Sequence, residues 1–412
     1  MCVSNSQNDK VNDDQPFSST DQSQLGLAWY TCGPTVYDSA HLGHARTYVC
    51  MDILHRLLSD QHHRNSKQNT TSTPPPLFIM NITDVDDKIL SRSKEMNIDP
   101  MDLAKRYEIE FMQDLQELNV NLPTIVTRVS EHVESDIVPY IQQIMRLGFA
   151  YIIPSNNNNA DDIEEDEAGV YFHVKKFEKM KEYGKLAPDR SVSKESTLKQ
   201  DGDMHQSSSP SQKIDVRDFA LWKFRKSNED LYWESPWGDG RPGWHIECSA
   251  MIEAVMKKVR STLFCNRLNF SGFCCMFLMK LSSIIKKFGS THSIQVHAGG
   301  VDLKFPHHTN EIAQAEAYHS QNPNLSQKEW IPHWVHTGHL HIEGSKMSKS
   351  LKNFITIREM LSLPQNSSES IFSSPSDDFR LWCIGLSGSY RSLTHYSSTR
   401  MQEAKVSSIL IF

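Results

Sequence analysis

The chain has 412 residues, 38% of them hydrophobic and 23% charged, which is enough for two or three compact units rather than one. Its formal net charge of −7 excludes a protein that holds nucleic acid through bulk positive charge, so any contact with a polyanion must use a local basic patch. Eight irregularly spaced cysteines in a long chain without a secretion-type leader favour reduced thiols or metal ligands over a disulfide framework.

Residues 1–24 are polar, contain Asp13, Asp14 and Asp21, and are expected to form a disordered tail. They look like neither a signal peptide nor an Arg-rich transit peptide, which makes the cytoplasm the expected location. An apolar run from Leu25 to Thr31 ends at Cys32-Gly33-Pro34, and helical periodicity follows from Ala45 to Leu58, so the first unit reads strand, turn, helix. A polar, Pro-rich loop is expected from His62 to Pro76, then a second strand from Leu77 to Asn81 and helices from Pro100 to Leu118 and Glu131 to Leu147. This alternation predicts α/β architecture. Two stretches, Ser155 to Glu167 and Ser191 to Lys213, have the composition of solvated insertions. Patterned sequence resumes at Asp218 to Lys223, Pro236 to Met251, Val296 to Glu316 and Thr337 to Ile357, and there is no internal repeat.

His41-Leu42-Gly43-His44 follows the first strand and turn and opens a helix, where free backbone N–H groups and the helix dipole favour a phosphate. Alone it would be two histidines at a helix start. Lys346-Met347-Ser348-Lys349-Ser350 supplies a partner, with closely spaced lysines in a Ser-bearing loop suited to a triphosphate. The pair, in this order and at opposite ends of an α/β unit, resembles the two signature motifs of class I aminoacyl-tRNA synthetases. His307 and Glu311 lie four apart and would project from one helix face, with His308 directed elsewhere. Cys32 and Cys248 are the distant candidates to complete a site of two thiolates, an imidazole and a carboxylate, a donor set suited to Zn²⁺. A thiol substrate could join such a site as a further ligand, and a serine hydroxyl would be a much poorer one.

The blocks Trp29 to Asp38, His41 to His44, Met80 to Lys88, Gly243 to Met251, His297 to Gln314 and Lys346 to Ser350 resemble those of the cysteinyl-tRNA synthetases, in the same order. The resemblance implies a Rossmann-like parallel sheet split by a connecting insertion, with the start of a helical stem-contact region. It implies L-cysteine, ATP and tRNA(Cys) as partners, one Zn²⁺ per chain held by Cys32, Cys248, His307 and Glu311, and Mg²⁺ arriving with ATP. It further implies His41, His44, Lys346 and Lys349 as the catalytic groups, with Gly43, Met347 and Ser348 also at ATP, and Gly33, Thr83, Trp244, His297 and Asp302 around the amino acid and adenylate. A monomer with no membrane association is expected.

These readings divide the chain at 1–24, 25–150 (first catalytic half), 151–235 (connecting insertion), 236–357 (second catalytic half) and 358–412 (a truncated stem-contact region, with the anticodon-binding domain expected to be absent). Residues 257–288 are foreign to the pattern and readable as a translated intron, since Val259-Arg260 can be encoded by a 5′ splice signal. Their apolar part, Phe270 to Ile285, is interrupted by Lys280 and too short for a membrane span. Two alternatives accompany the main reading. One is a catalytically impaired chain that binds zinc and nucleotide, and the other an enzyme that joins cysteine to an amino sugar.

Overall fold

A computed structural model describes residues 4–5, 27–68, 76–155, 167–187, 212–226, 229–267, 294–322, 329–342, 345–346, 354–362 and 374–411. Within the expected N-terminal tail, the described residues Ser4–Asn5 form a short strand, β1. β2 (Ala28–Thr31) leads through Cys32-Gly33-Pro34 into α1 (Leu42–Gln68). This helix runs beyond the expected end at Leu58 and takes up the start of the predicted polar loop. The first proline comes only at Pro74, and an Arg64–Asp60 pair four residues apart bridges the last turns at 2.8 Å. β3 (Leu77–Ile82) follows, then α2 (Asp87–Met96), an unpredicted helix. It is capped by the Asp86 side chain, which accepts from Lys88 N–H, and is ended by Asn97 in the left-handed region. α3 (Pro100–Glu117) occupies its expected span, with Asp99 as N-cap and Pro100 in the first turn.

β4 (Ile125–Arg128) precedes a helix that sequence periodicity presents as continuous and the structure divides. α4 (Val129–His132) passes through a π-type turn at Val133–Ile137 into α5 (Val138–Arg146). Pro139 at the second position of α5 has no N–H to continue the regular ladder. β5 (Ala150–Ile153), β6 (Gly169–Phe172), β7 (Ala220–Phe224) and β8 (Gly240–Pro242) form a separate antiparallel sheet in that order, with the short α6 (Val174–Phe177) after β6. Phe172, Phe219 and Trp222 fill its core. Most of both low-complexity stretches lies outside the described residues.

α7 (Trp244–Arg267) re-enters the catalytic unit and runs on past Met256, while most of the segment expected to be foreign lies outside the described residues. β9 (Val296–Gly300), α8 (Thr309–Tyr318) and β10 (His333–Thr337) follow. The main sheet has the order β1-β10-β9-β2-β3-β4, parallel except for β1 at the edge of β10. Both faces of this sheet are covered, and alternation along its strands decides which cluster each side chain joins. Trp29, Phe78 and Met80 pack with α1 and α3, whereas Tyr30, Leu77 and Ile79 pack with Cys248 and Ile252 of α7. β2 lies between β9 and β3, so the strand order reverses there, and the carboxyl ends of β2 and β9 open a crevice where ligands of such sheets bind.

Beyond β10, β11 (Leu340–Ile342), β12 (Ser345–Lys346) and, much later, β13 (Thr394–Tyr396) make a small third sheet. α9 (Ile357–Leu361), α10 (Pro375–Leu381) and α11 (Ser398–Ile411) pack back on the first half. Leu42 N–H donates to Ile355 O at 3.0 Å and Ile357 N–H to Ala40 O at 3.1 Å, so the start of α1 is paired by backbone to the chain that opens α9. The buried Arg46 guanidinium donates to the carbonyls of Gly338, His339 and Ser392, tying α1 to the end of β10 and to the approach to β13. Arg358 of α9 donates to Asp114 of α3 at 3.0 Å.

Asp114 is 1% exposed, and burial outweighs Arg358, pushing its carboxyl up to about 6. A carboxyl raised on folding contributes stability that is complete below the ordinary carboxyl range and is lost as pH rises through 6. Asp114→Asn keeps an acceptor for Arg358 and removes the buried charge. It is expected to raise the melting temperature at pH 7.5, by an equivalent of about 1 kcal/mol, with the gain closing as pH falls toward 5. Thermal unfolding across that range checks it, and a loss of stability at pH 7.5 would show that the ion pair outweighs the burial.

Candidate functional site

A cavity of about 300 Å³ opens at the carboxyl ends of β2 and β9. Cys32, Gly33, His41, Gly43, His44, Thr83, Trp244, Cys248, Asp302 and His307 line it, drawn from segments nearly 275 residues apart in sequence. Cys32 leaves β2 with its N–H donating to Ala298 O at 3.0 Å, and its own carbonyl accepts from Tyr48 Oη at 3.1 Å. Gly33 N–H donates to Asn81 Oδ1 at 2.9 Å, and a Cβ at Gly33 would overlap the Asn81 carbonyl, so only glycine lets β2 and β3 approach this closely. Gly243 does the same for α7, because a Cβ there would meet the Ala220 carbonyl. Trp244 and Cys248 therefore enter the crevice from the first turns of α7.

The ligand atoms of Cys32, Cys248, His307 and Glu311 all lie within 4.8 Å of one another, and all four residues are buried. Cys32 Sγ is 3.8 Å from Cys248 Sγ, and His307 Nε2 is 3.1 Å from Glu311 Oε1. The Trp244 ring stacks on the His307 ring with centroids 4.3 Å apart. Burial pushes both thiols up, with Cys248 and Glu311 adding to the effect at Cys32 and Glu311 adding to it at Cys248, where the Cys32 hydrogen bond works the other way, and it pushes the His307 imidazole well down. Anionic donors crowded into a dry site fit a divalent cation, whose charge would offset that cost. The donor types and their number suit zinc.

His308 departs from the sequence expectation. Its Nε2 lies 3.4 Å from Cys32 Sγ and its Nδ1 2.8 Å from His336 Nε2, so it is not directed away from the cluster. Lys304–His308 is a π-type turn with Phe305 in extended backbone, and regular helix begins only at Thr309, so helical spacing does not apply to both histidines. A second donor set results, Cys32, His297, His308 and Glu311, also within 4.8 Å. Cys32, Cys248 and His307 line the cavity, whereas Glu311, His297 and His308 do not, so the first set presents three of its donors to a substrate and the second only Cys32. His297, expected beside the amino acid, instead has Nε2 2.8 Å from Glu311 Oε2.

The His41 and His44 rings, which also line the cavity, stack with centroids 3.9 Å apart at the start of α1. His41 Nδ1 accepts from Gly43 N–H at 3.1 Å and His44 Nδ1 from His41 N–H at 3.3 Å. Each ring thus carries its proton on Nε2, the form able to donate to a phosphate oxygen. Thr83 Oγ1 donates to Glu247 Oε2 at 3.0 Å, and burial holds the Glu247 carboxyl well above the ordinary range. Lys346 is placed only as part of β12, and Met347, Ser348 and Lys349 lie outside the described residues. Thr35, Tyr48, Lys88, Thr337 and His339 also line the cavity, and sequence reasoning singled out none of them. Asn81 and Lys88 do fall inside the Met80–Lys88 block, the one available signal for them.

The family description "tRNA synthetases class I (C) catalytic domain" matches residues 18–263 and 277–405. The chain is 41% identical over 335 residues to a cytoplasmic cysteine–tRNA ligase of Dictyostelium discoideum, covering 81% of this chain and 41% of the relative. It is 37% identical over 378 residues to a probable mitochondrial cysteine–tRNA ligase of Xenopus tropicalis (91% and 50%), and 39% identical over 332 residues to a cysteine–tRNA ligase of Pyrococcus horikoshii (81% and 54%). The chain therefore spans about half the length of the curated relatives it matches. A Mycobacterium tuberculosis methionyl-tRNA synthetase in complex with methionyl-adenylate shares the fold, with a TM-score of 0.56 at 14% identity over 92% of this chain and 68% of that one. Among the described residues, no helix is long and apolar enough to cross a membrane.

The two donor sets are separable by substitution. Cys248→Ala and His307→Ala are expected to weaken zinc binding by more than about 100-fold, while His308→Gln retains one zinc per chain. Chelator competition and metal analysis check this, and the reverse pattern would assign the metal to the second set.

Proposed function

Because the chain belongs to the family of class I tRNA synthetase (C) catalytic domains, we propose that it activates L-cysteine with ATP, as a monomer in the cytoplasm, and passes the cysteinyl group to tRNA(Cys). The observation that carries this reading is the pair of buried thiols lining the same cavity as the His41–His44 helix start. Cys32, Cys248, His307 and Glu311 would hold zinc. When bound, the ion supplies a Lewis acid that takes a substrate thiolate far better than a serine hydroxyl.

In the first step the cysteine carboxylate attacks the α-phosphorus of ATP and pyrophosphate leaves. Little covalent work falls to the protein, which aligns the reactants and neutralises charge on the leaving group. His41 and His44 donate from Nε2 to phosphate oxygens, and Gly43 leaves the helix N-terminus open to them. Lys346 and Lys349, with Met347 and Ser348 between them, belong to the same ATP side, where Mg²⁺ arrives with the nucleotide. Gly33, Thr83, Trp244 and Asp302 surround the amino acid and adenylate, and His297 acts one layer further out by fixing Glu311. In the second step the terminal ribose hydroxyl of tRNA(Cys) takes the cysteinyl group and AMP leaves.

Cysteine-dependent exchange of labelled pyrophosphate into ATP tests the first step apart from tRNA binding. Exchange is expected with cysteine, at most about 1% as fast with serine, abolished by a zinc chelator and restored by added Zn²⁺. Folded, zinc-loaded chain that gives no exchange would overturn catalysis and leave a zinc- and nucleotide-binding protein.

A further inference from the structure

Tyr30, near the end of β2, is fully buried on the sheet face that packs against α7, and its hydroxyl has no hydrogen bond of standard geometry. Leaving a buried hydroxyl unpaired costs about 1–3 kcal/mol, and phenylalanine would fill the same space without that cost. Tyr30 shares one packed cluster with Cys32 and Cys248, and burial pushes its hydroxyl well up, with Cys248, Cys32 and Glu311, three of the four candidate metal donors, adding to the effect. The Tyr30 ring is held edge-on against His297, with centroids 5.1 Å apart, and His297 itself fixes Glu311.

A neutral thiol is a weak acceptor, whereas a thiolate on a metal carries charge and accepts a hydrogen bond well. We propose that Tyr30 is a positioning residue for the metal, donating its phenolic O–H to the metal-bound thiolate of Cys248. The proposal rests on the zinc reading above. Two thiolates and a carboxylate around a divalent cation leave a net negative charge, which opposes a further thiolate. A hydrogen bond to one thiolate disperses that charge, so Tyr30 favours both retention of the metal and acceptance of the substrate sulfur.

The test compares the wild-type chain with Tyr30→Phe, loaded with Zn²⁺ or with Co²⁺. The variant is expected to bind zinc about 10-fold more weakly in chelator competition. Its thiolate-to-cobalt charge-transfer band should move to lower energy, because the unshielded thiolate is more electron-rich. In pyrophosphate exchange the KM for cysteine should rise with the KM for ATP unchanged. An unchanged zinc affinity and cobalt spectrum in a folded variant would overturn the proposal and leave the metal site standing. A wild-type chain that takes up neither metal would overturn the metal site and the proposal together.

Discussion

Glu311 is a carboxylate with no solvent exposure, and much of the site is arranged around it. One oxygen faces His297 Nε2 and the other His307 Nε2, while Cys32 Sγ lies 4.0 Å away. A buried carboxylate is tolerable only where donors or cations surround it. The three partners reach it from the turn after β2, from β9 and from the turn before α8, so satisfying one group aligns three segments. The histidines behind the wall, His297 and His308 with His336, then form a dry base on which the cavity-lining donors rest.

The same economy joins the two ends of the nucleotide side. The start of α1 and the approach to α9 lie more than 300 residues apart in sequence, yet they exchange backbone hydrogen bonds through Ala40, Leu42, Ile355 and Ile357. Ion pairs fasten this junction from outside, Arg358 to Asp114 of α3 and Arg380 of α10 to Asp52 of α1 at 2.6 Å. The C-terminal elements therefore help to place His41 and His44, although none of their residues belongs to a signature motif.

The break in the family match is narrower than the segment that sequence patterning sets apart. The match lapses at 264–276 against an expected 257–288, and α7 carries its helical backbone from Trp244 through Met256 to Arg267. Cys248 sits in the second turn of that helix, anchored by Gly243 and by Ile252 packing under the sheet. Its position is thus set at the N-terminal end of α7, upstream of the interruption.

The sequence by itself carried the α/β class and the His307–Glu311 pair, because periodicity, turn residues and helical spacing are local properties. It offered Cys32 and Cys248 only as distant candidates, and the ligand set as a whole, like the split of the catalytic unit, came through a resemblance, since donors from three distant segments leave no local pattern. Only the tertiary structure decided what lies behind the cavity wall. Spacing already set His307 with Glu311 and His308 apart from them, but past the π-type turn with extended Phe305 the His308 Nε2 lies 3.4 Å from Cys32 Sγ, at the back of the same cluster. His297 likewise moved from the substrate to Glu311, and Tyr30, one more buried aromatic in a strand, joins a cluster with Cys248 only because α7 packs beneath the sheet. Burial and close approach across the sheet are pairwise facts, and a chain read one residue at a time does not contain them.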